Sequence, residues 1–238
     1  SGGKRKLGYD SLQELSGLFL TEKIPEDMGK HALERYLDFP HYLGAKKEKV
    51  EFILPPSVDA EKKVNLLLEK YGLNDKDYIA INPVAYWKTK LWDDGNFACL
   101  ADLISDKLKK KVIFTGSESA PIEKITSMMG ANSINLAGQT TLLELACIFK
   151  KAQLVVTTDS GPMHLACAVG TPVVALFGPT DPARTGPYGA GHTIIRADLP
   201  CSPCFLKDCL TIQCMKNITP ERVFAVVEGR IKKGGRNY

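Results

Sequence analysis

The 238 residues lack an uninterrupted apolar run of membrane-spanning length. The best candidate, Leu165 to Phe177, is cut by Gly170-Thr171-Pro172, where a span needs about 18 residues. The opening "SGGKRKLGYD" has no apolar signal-peptide core, so the expected setting is cytoplasmic. Charge of one sign is also scarce: the formal net charge is +4 and is spread along the chain. That excludes the basic stripe of a dedicated nucleic-acid binder and leaves a mildly basic surface. Such a surface suits an anionic small molecule or transient peripheral contact with an anionic membrane face. There is no G-x-x-x-x-G-K-[ST], no G-x-G-x-x-G after a strand, and no G-x-S-x-G around Ser160, which disfavours kinase, simple dehydrogenase and α/β-hydrolase readings. No internal repeat or low-complexity segment appears.

What is present is an ordinary globular composition, 44% hydrophobic and 24% charged, enough for one large domain or one domain plus part of another. Of the seven cysteines, Cys99, Cys147 and Cys167 fall in apolar helical patterns and read as small buried residues. The other four, Cys201, Cys204, Cys209 and Cys214, make a C-x2-C-x4-C-x4-C cluster. That spacing could hold zinc or an iron-sulfur cluster, but it has no second C-x-x-C pair and no nearby His. Packed thiols or an oxidation-sensitive disulfide are the preferred reading, with no metal and no cofactor expected.

Four short apolar runs, each followed by a turn and a helical pattern, read as strands: Tyr78 to Asn82, Lys111 to Gly116, Leu154 to Thr158 and Pro172 to Gly178. Ser133 to Gly138 and His192 to Ala197 are weaker candidates. Apolar strands alternating with helices predict a parallel sheet covered on both faces, a doubly wound α/β domain beginning near Asp75. Helix starts are marked by Asp93, by Thr140 or Thr141, the latter with Glu144 at capping-box spacing, and by Thr219 before Pro220. The first 50 residues differ. "SLQELSGLFL" and "HALERYLDFPHYLG" read as helices with no sheet strand before Val50 to Leu54. This segment therefore reads as the tail of another domain, or a helical appendage, joined at about residues 55 to 75 through "PPSVDAEKK".

In open α/β sheets ligands gather at the carboxyl ends of strands. "LVVTTDSGPMHLACAVG" puts Asp159, Ser160 and Gly161 at such a turn, with the backbone N–H groups of Ser160, Gly161 and Met163 converging at a helix start. Unpaired donors and a partial positive charge there suit phosphate, and His164 lies one turn in. The alternative makes Asp159-Ser160 a plain cap and His164 a half-buried histidine. "FGPTDPARTGPYG" adds Thr180, Asp181 and Arg184 at the next strand end, and "NPVAYWKTKLW" adds Trp87, Lys88, Lys90 and Trp92. The lysines could neutralise a diphosphate and an indole could stack on a base or sugar; otherwise the tryptophans are core and the lysines solvated, Lys88 more readily than Lys90. Glu118 and Glu123 could accept from ribose hydroxyls.

The stretch Val155 to Gly189, with its D-[ST]-G-x-x-H core and following F-G-P-T-D-P, resembles glycosyltransferase family 9, the ADP-heptose:lipopolysaccharide heptosyltransferases. "NPVAYWKTKLWDDGNF", "CSPCFLKDCLTIQCMKNITPE" and "HALERYLDF" are similar to further family segments, so the resemblance runs from about His31 to Ile231. It implies the C-terminal half of a GT-B fold: residues 1–74 as the tail of an N-terminal domain and linker, residues 75–238 as a Rossmann-like donor-binding domain. It also implies an inverting transfer of a sugar, heptose by analogy, from an ADP-sugar donor to a lipid A-core acceptor. The implied donor-binding residues are Lys90 and His164 at the phosphates, Asp159 at the sugar, Ser160 and Gly161 at the diphosphate, Glu118 (or Glu123) at the ribose and Thr140 beside the adenine. The general base is expected in the N-terminal domain, so no catalytic residue is assigned and the chain alone is expected to be inactive. The rival readings are a non-catalytic nucleotide-sugar-binding module and a protein organised by its four-cysteine cluster.

Overall fold

The computed structural model describes residues 2–11 and 14–234. Its residues fall into two compact units. One comprises the residues up to Glu51 with Asp181–Gly186; the other comprises Phe52–Thr180 with the residues from Pro187 onward.

The first unit contains two short parallel strands, β1 (Leu7–Tyr9) and β2 (Glu22–Ile24), joined through a 3-10 helix (Glu14–Phe19), followed by α1 (Ala32–Tyr42). The strands correct the expectation of a purely helical segment. With three residues each, they carry too little alternation to register as a pattern. The 3-10 helix replaces the expected helix over "SLQELSGLFL", of which Leu12 and Gln13 lie outside the described residues; Gly17 in its middle weakens an α-helix there. Arg5 pairs with Glu22 at 2.6 Å, Arg35 pairs with Glu26, and the Tyr9 ring meets Phe39 edge-on at 4.5 Å. His31 caps α1 by accepting from the Leu33 N–H, and its Nε2 lies 3.0 Å from the carbonyl of Gly186, which closes α7 (Pro182–Thr185).

Val50 to Leu54 is coil rather than a strand, and the first helix of the second unit is α2 (Val58–Lys70). The sequence made α2 part of a linker. It is instead capped by Ser57, whose hydroxyl accepts from the Ala60 N–H at 3.2 Å, and it buries Val64 and Leu68 against Tyr78 and Phe149. The sheet consists of β3 (Tyr78–Asn82), β4 (Lys111–Phe114), β5 (Ile134–Asn135), β6 (Leu154–Thr158), β7 (Val173–Phe177) and β8 (Thr193–Arg196). All pairings are parallel, and the order is β5-β4-β3-β6-β7-β8. Every residue of β3, β6 and β7 is buried, which explains why these strands read as continuous apolar runs rather than alternating ones.

Alternate strand residues feed opposite faces. Ile79, Ile81, Val156 and Leu176 pack with α3 (Asp94–Leu108), α4 (Ser119–Thr126), α8 (Gln213–Lys216) and α9 (Pro220–Gly234). Tyr78, Ala80, Val155 and Ala175 pack with α2, α5 (Leu142–Lys151) and α6 (Gly161–Ala168). Each fully buried aliphatic or phenyl side chain is worth roughly 1.5–3 kcal/mol. Helix starts follow the predicted caps. Asp93 accepts from Gly95, Thr141 and Glu144 form a reciprocal capping box, and Thr219 accepts from the Arg222 N–H. The α3 and α6 layers lie on opposite faces, so the chain leaves β3 toward one side and β6 toward the other. A crevice therefore opens between the carboxyl ends of these neighbouring strands.

Candidate donor-binding crevice

At this switch point lies a cleft of ≈ 600 Å³. Asn82, Val84 and Tyr86 come to it from the end of β3, Gly116 and Ser117 from the end of β4, Thr140, Thr141 and Leu142 from the start of α5, and Ser160, Gly161 and Pro162 from the start of α6. Polar groups thus enter from four loops above an apolar floor that includes Leu145. A Cβ added to Gly161 would meet nothing within 4 Å, so a ligand has unobstructed access to that backbone.

Beside the cleft, Lys90 Nζ sits 2.6 Å from Asp159 Oδ2, and the Thr180 hydroxyl donates to the same oxygen at 2.6 Å. Asp159 is 5% exposed, and residues that follow β3 and β7 meet on its carboxylate. Burial of this kind needs its two donors, because an unpaired carboxylate at that depth would be expensive. Lys90 Nζ also lies 4.5 Å from the centroid of the Trp87 ring, and Lys207 Nζ lies 5.3 Å from the same centroid. Thr158 Oγ1 donates to the Val84 carbonyl at 3.0 Å, tying the loop after β3 to the end of β6.

Ser160 stands at the N-cap of α6, yet its hydroxyl does not cap the helix: it turns back toward the Thr158 carbonyl (3.3 Å) and Thr157 Oγ1 (3.4 Å). The Met163 N–H donates to the Ser160 carbonyl at 3.1 Å, so it does not join the convergence of ligand donors read from the sequence; Pro162 lets the first turn tighten onto that bond. His164 is exposed on α6 and is not among the residues that line the cleft. Thr140 does line it. Glu118 is exposed at the N-cap of α4 and lies outside the lining, although its neighbours Gly116 and Ser117 belong to it. Glu123 accepts from the Ser119 hydroxyl at 2.7 Å instead. Trp92 is core: its indole N–H donates to the Ile218 carbonyl at 2.8 Å and its ring meets Phe97 edge-on. Lys88 is exposed.

Sequence reasoning did not select Asn82. Its Nδ2 donates to the Thr115 carbonyl (3.2 Å) and Oγ1 (3.0 Å). A carbonyl can only accept, so the amide orientation is fixed and Oδ1, buried, is left with no partner. Its place as the last residue of an all-buried strand was the available signal.

Among the described residues, no group of three or more His, Cys, Asp or Glu is arranged to hold a metal ion. Cys201 and Cys209 are exposed, Cys204 is half-buried and Cys214 is buried. Backbone N–H groups of Ile212 and Thr211, the former first, hold the Cys209 thiol below its ordinary value. Burial, with the neighbouring thiols adding to it, pushes Cys214 up. The Cys99 and Cys147 side chains are half-buried and Cys167 is buried.

An all-parallel doubly wound sheet with a polar crevice at its switch point defines a Rossmann-like class of α/β fold, in which ligands sit at the carboxyl ends of the strands. The sequence pattern of glycosyltransferase family 9 (heptosyltransferase) matches residues 2–214, and the chain belongs to that family. It is 31% identical over 191 residues to the lipopolysaccharide core heptosyltransferase OpsX of Haemophilus influenzae, covering 78% of this chain and 54% of OpsX. It is 29% identical over 208 residues to lipopolysaccharide heptosyltransferase 1 of Pseudomonas aeruginosa, covering 85% and 56%. The chain thus spans about half the length of the curated relatives it matches. Its fold is similar to a family 9 glycosyltransferase from Veillonella parvula (TM-score 0.79, 24% identity, 91% of this chain and 64% of that one). It is also similar to the E. coli ADP-heptose lipopolysaccharide heptosyltransferase II (TM-score 0.76, 22% identity, 98% and 72%). No helix among the described residues is long and apolar enough to cross a membrane.

Proposed function

We propose that this chain is the donor-binding part of a heptosyltransferase-type enzyme, and that the crevice between β3 and β6 takes the diphosphate and nucleoside of an ADP-sugar. The observation that carries the reading is the open backbone at Ser160 and Gly161, at the start of α6, next to the buried Lys90–Asp159–Thr180 cluster. The helix start supplies donors for phosphate oxygens and favours negative charge. Asp159, held rigidly from two sides, orients the transferring sugar through its hydroxyls, and Lys90 faces the adjoining phosphate. Thr140, on the far wall, adjoins the base. Glu118 reaches the ribose once the loop after Gly116 closes over a bound nucleoside, and His164 contributes from the exposed flank of α6.

In an inverting transfer the acceptor hydroxyl must lose a proton while in line with the anomeric carbon. Asp159 is committed to Lys90 and Thr180, so it is not the base. We place the base and the lipid A-core acceptor groove on an N-terminal domain to which the residues before Phe52 belong. The work is assigned to the cytoplasmic side of the inner membrane, where a mildly basic protein can touch anionic lipid transiently.

Calorimetry with ADP, UDP and GDP tests the reading. ADP is expected to bind best, with affinity reduced about tenfold by His164→Ala or Lys90→Ala. Equal indifference to all three nucleotides would sink it. Transfer to a lipid acceptor is expected only when the N-terminal domain is supplied.

A further inference from the structure

The four-cysteine segment has no part in the reading above, yet hydrogen bonds tie it to the loops after β3 and β7 that carry Lys90 and Thr180. The N–H groups of Cys204 and Phe205 both donate to the Pro179 carbonyl, at 2.9 and 2.8 Å. Pro179 directly precedes Thr180, a donor to Asp159. The Ser202 hydroxyl donates to the Gly178 carbonyl at 2.7 Å, and the buried Thr89 hydroxyl, next to Lys90, donates to the Leu206 carbonyl at 2.8 Å. The residue after Leu206 is Lys207, whose ammonium lies over Trp87.

The Trp87 ring therefore gathers two cations. At 4.5 and 5.3 Å from one centroid, Lys90 Nζ and Lys207 Nζ are no more than 9.8 Å apart. Like charges so placed repel unless something negative lies between or beside them. Asp159 compensates Lys90 at 2.6 Å, and among the described residues no carboxylate lies within ion-pair distance of Lys207. Lys90 and Asp159 together are neutral, so they alone cannot balance the two or more negative charges of a nucleoside diphosphate group. One further cation is needed near them, and one is held there.

We propose that Lys207 is a second cationic ligand for the diphosphate, presented over Trp87 by the Cys201–Cys214 loop. This rests on the donor-binding reading. The exposed side chain is free to swing from the ring face onto phosphate oxygen, and the loop's backbone bonds to Pro179 and Leu206's bond to Thr89 keep its root in place.

Lys207→Gln and Lys207→Arg, with ADP and adenosine titrated calorimetrically at low and moderate salt, decide the matter. Because Lys207 is exposed, neither change threatens the fold. The expectation is an about tenfold loss of ADP affinity in Lys207→Gln, unchanged adenosine binding, a shallower salt dependence and recovery in Lys207→Arg. Unaltered ADP affinity in Lys207→Gln overturns the proposal and leaves the donor reading standing. An equal loss for adenosine and ADP also overturns it, since that would mark a structural role. If the unsubstituted protein ignores ADP, the donor reading fails and this inference with it, a result visible before any substitution is made.

Discussion

Lys90 and Asp159 form a 2.6 Å ion pair between the loop after β3 and the loop after β6, and Thr180 from the loop after β7 donates to the same carboxylate oxygen. Three neighbouring strand ends are thus fastened through one buried carboxylate. Lys90→Met leaves that carboxylate with Thr180 alone and is expected to destabilise by about 2–4 kcal/mol, somewhat below the full cost of orphaning a buried charge because one donor remains. Asp159→Asn in the same background should restore part of the loss, giving a coupling above about 1 kcal/mol in a denaturant double-mutant cycle. Simple additivity would mean the pair is ornamental.

Gly178→Ala probes the seam between β7 and the cysteine segment. The new Cβ would stand 2.6 Å from Met215 Sδ, 2.9 Å from its Cγ and 3.1 Å from Cys214 Sγ. Met215 is itself buried and has little room to yield. A loss of about 1–3 kcal/mol is expected, read from the shift of the unfolding midpoint. An unshifted midpoint would show that Met215 steps aside without cost.

The thiols should label in a fixed order. Cys209, exposed and held below its ordinary value by the Ile212 and Thr211 N–H groups, is expected to alkylate first near neutral pH. Cys167, which burial pushes up to about 11, and Cys214 should follow last. Time-resolved iodoacetamide labelling with peptide mapping reads the order; Cys214 ahead of Cys209 would contradict the arrangement of the loop.

His192 gives a pH dependence. Burial, followed by the opposing Tyr188 backbone bond and then by Arg230, leaves its imidazole below the ordinary value. The unfolded chain, titrating near about 6.5, then binds more protons than the folded one as pH falls below that point. Stability should therefore drop on acidification from about pH 6.5, and His192→Gln should flatten that part of the profile in denaturant titrations. Parallel profiles for the two proteins would contradict the assigned direction.

The sheet was legible because burial on both faces demands unbroken apolar runs, and Leu154–Thr158 and Tyr78–Asn82 match the observed strands residue for residue. Caps at Asp93, Thr141 and Thr219 were legible because their partners lie within three residues. Trp92 stayed ambiguous, since an indole serves a core and a stacking site equally well until its N–H finds Ile218. Two kinds of feature escaped. Leu7–Tyr9 and Glu22–Ile24 are too short to show a period, and α2 is so polar that its buried face, Ala60, Val64 and Leu68 at four-residue spacing, does not stand out. The bonds from Cys204 and Phe205 to Pro179 are backbone bonds and leave no trace in residue identity. Among the proposed ligands, Lys90, Ser160 and Gly161 were marked by their place at strand ends, whereas Thr140 was marked only by the family resemblance. Asn82 was passed over because an amide at a strand end also reads as plain turn chemistry.

The strand order has a consequence for how the protein is made. β3 lies between β4, which follows after one long helix, and β6, which is reached only after β4, β5 and two further helices. On a ribosome, α3 and the β3–β4 pair can assemble while the wall of the crevice contributed by β6 is still unsynthesised. The pocket is thus a late product of translation, closed by a contact of large sequence separation whose loop entropy slows it. A nascent chain halted before Leu154 would display a buried-type strand edge with no partner, and this is where a chaperone would find it.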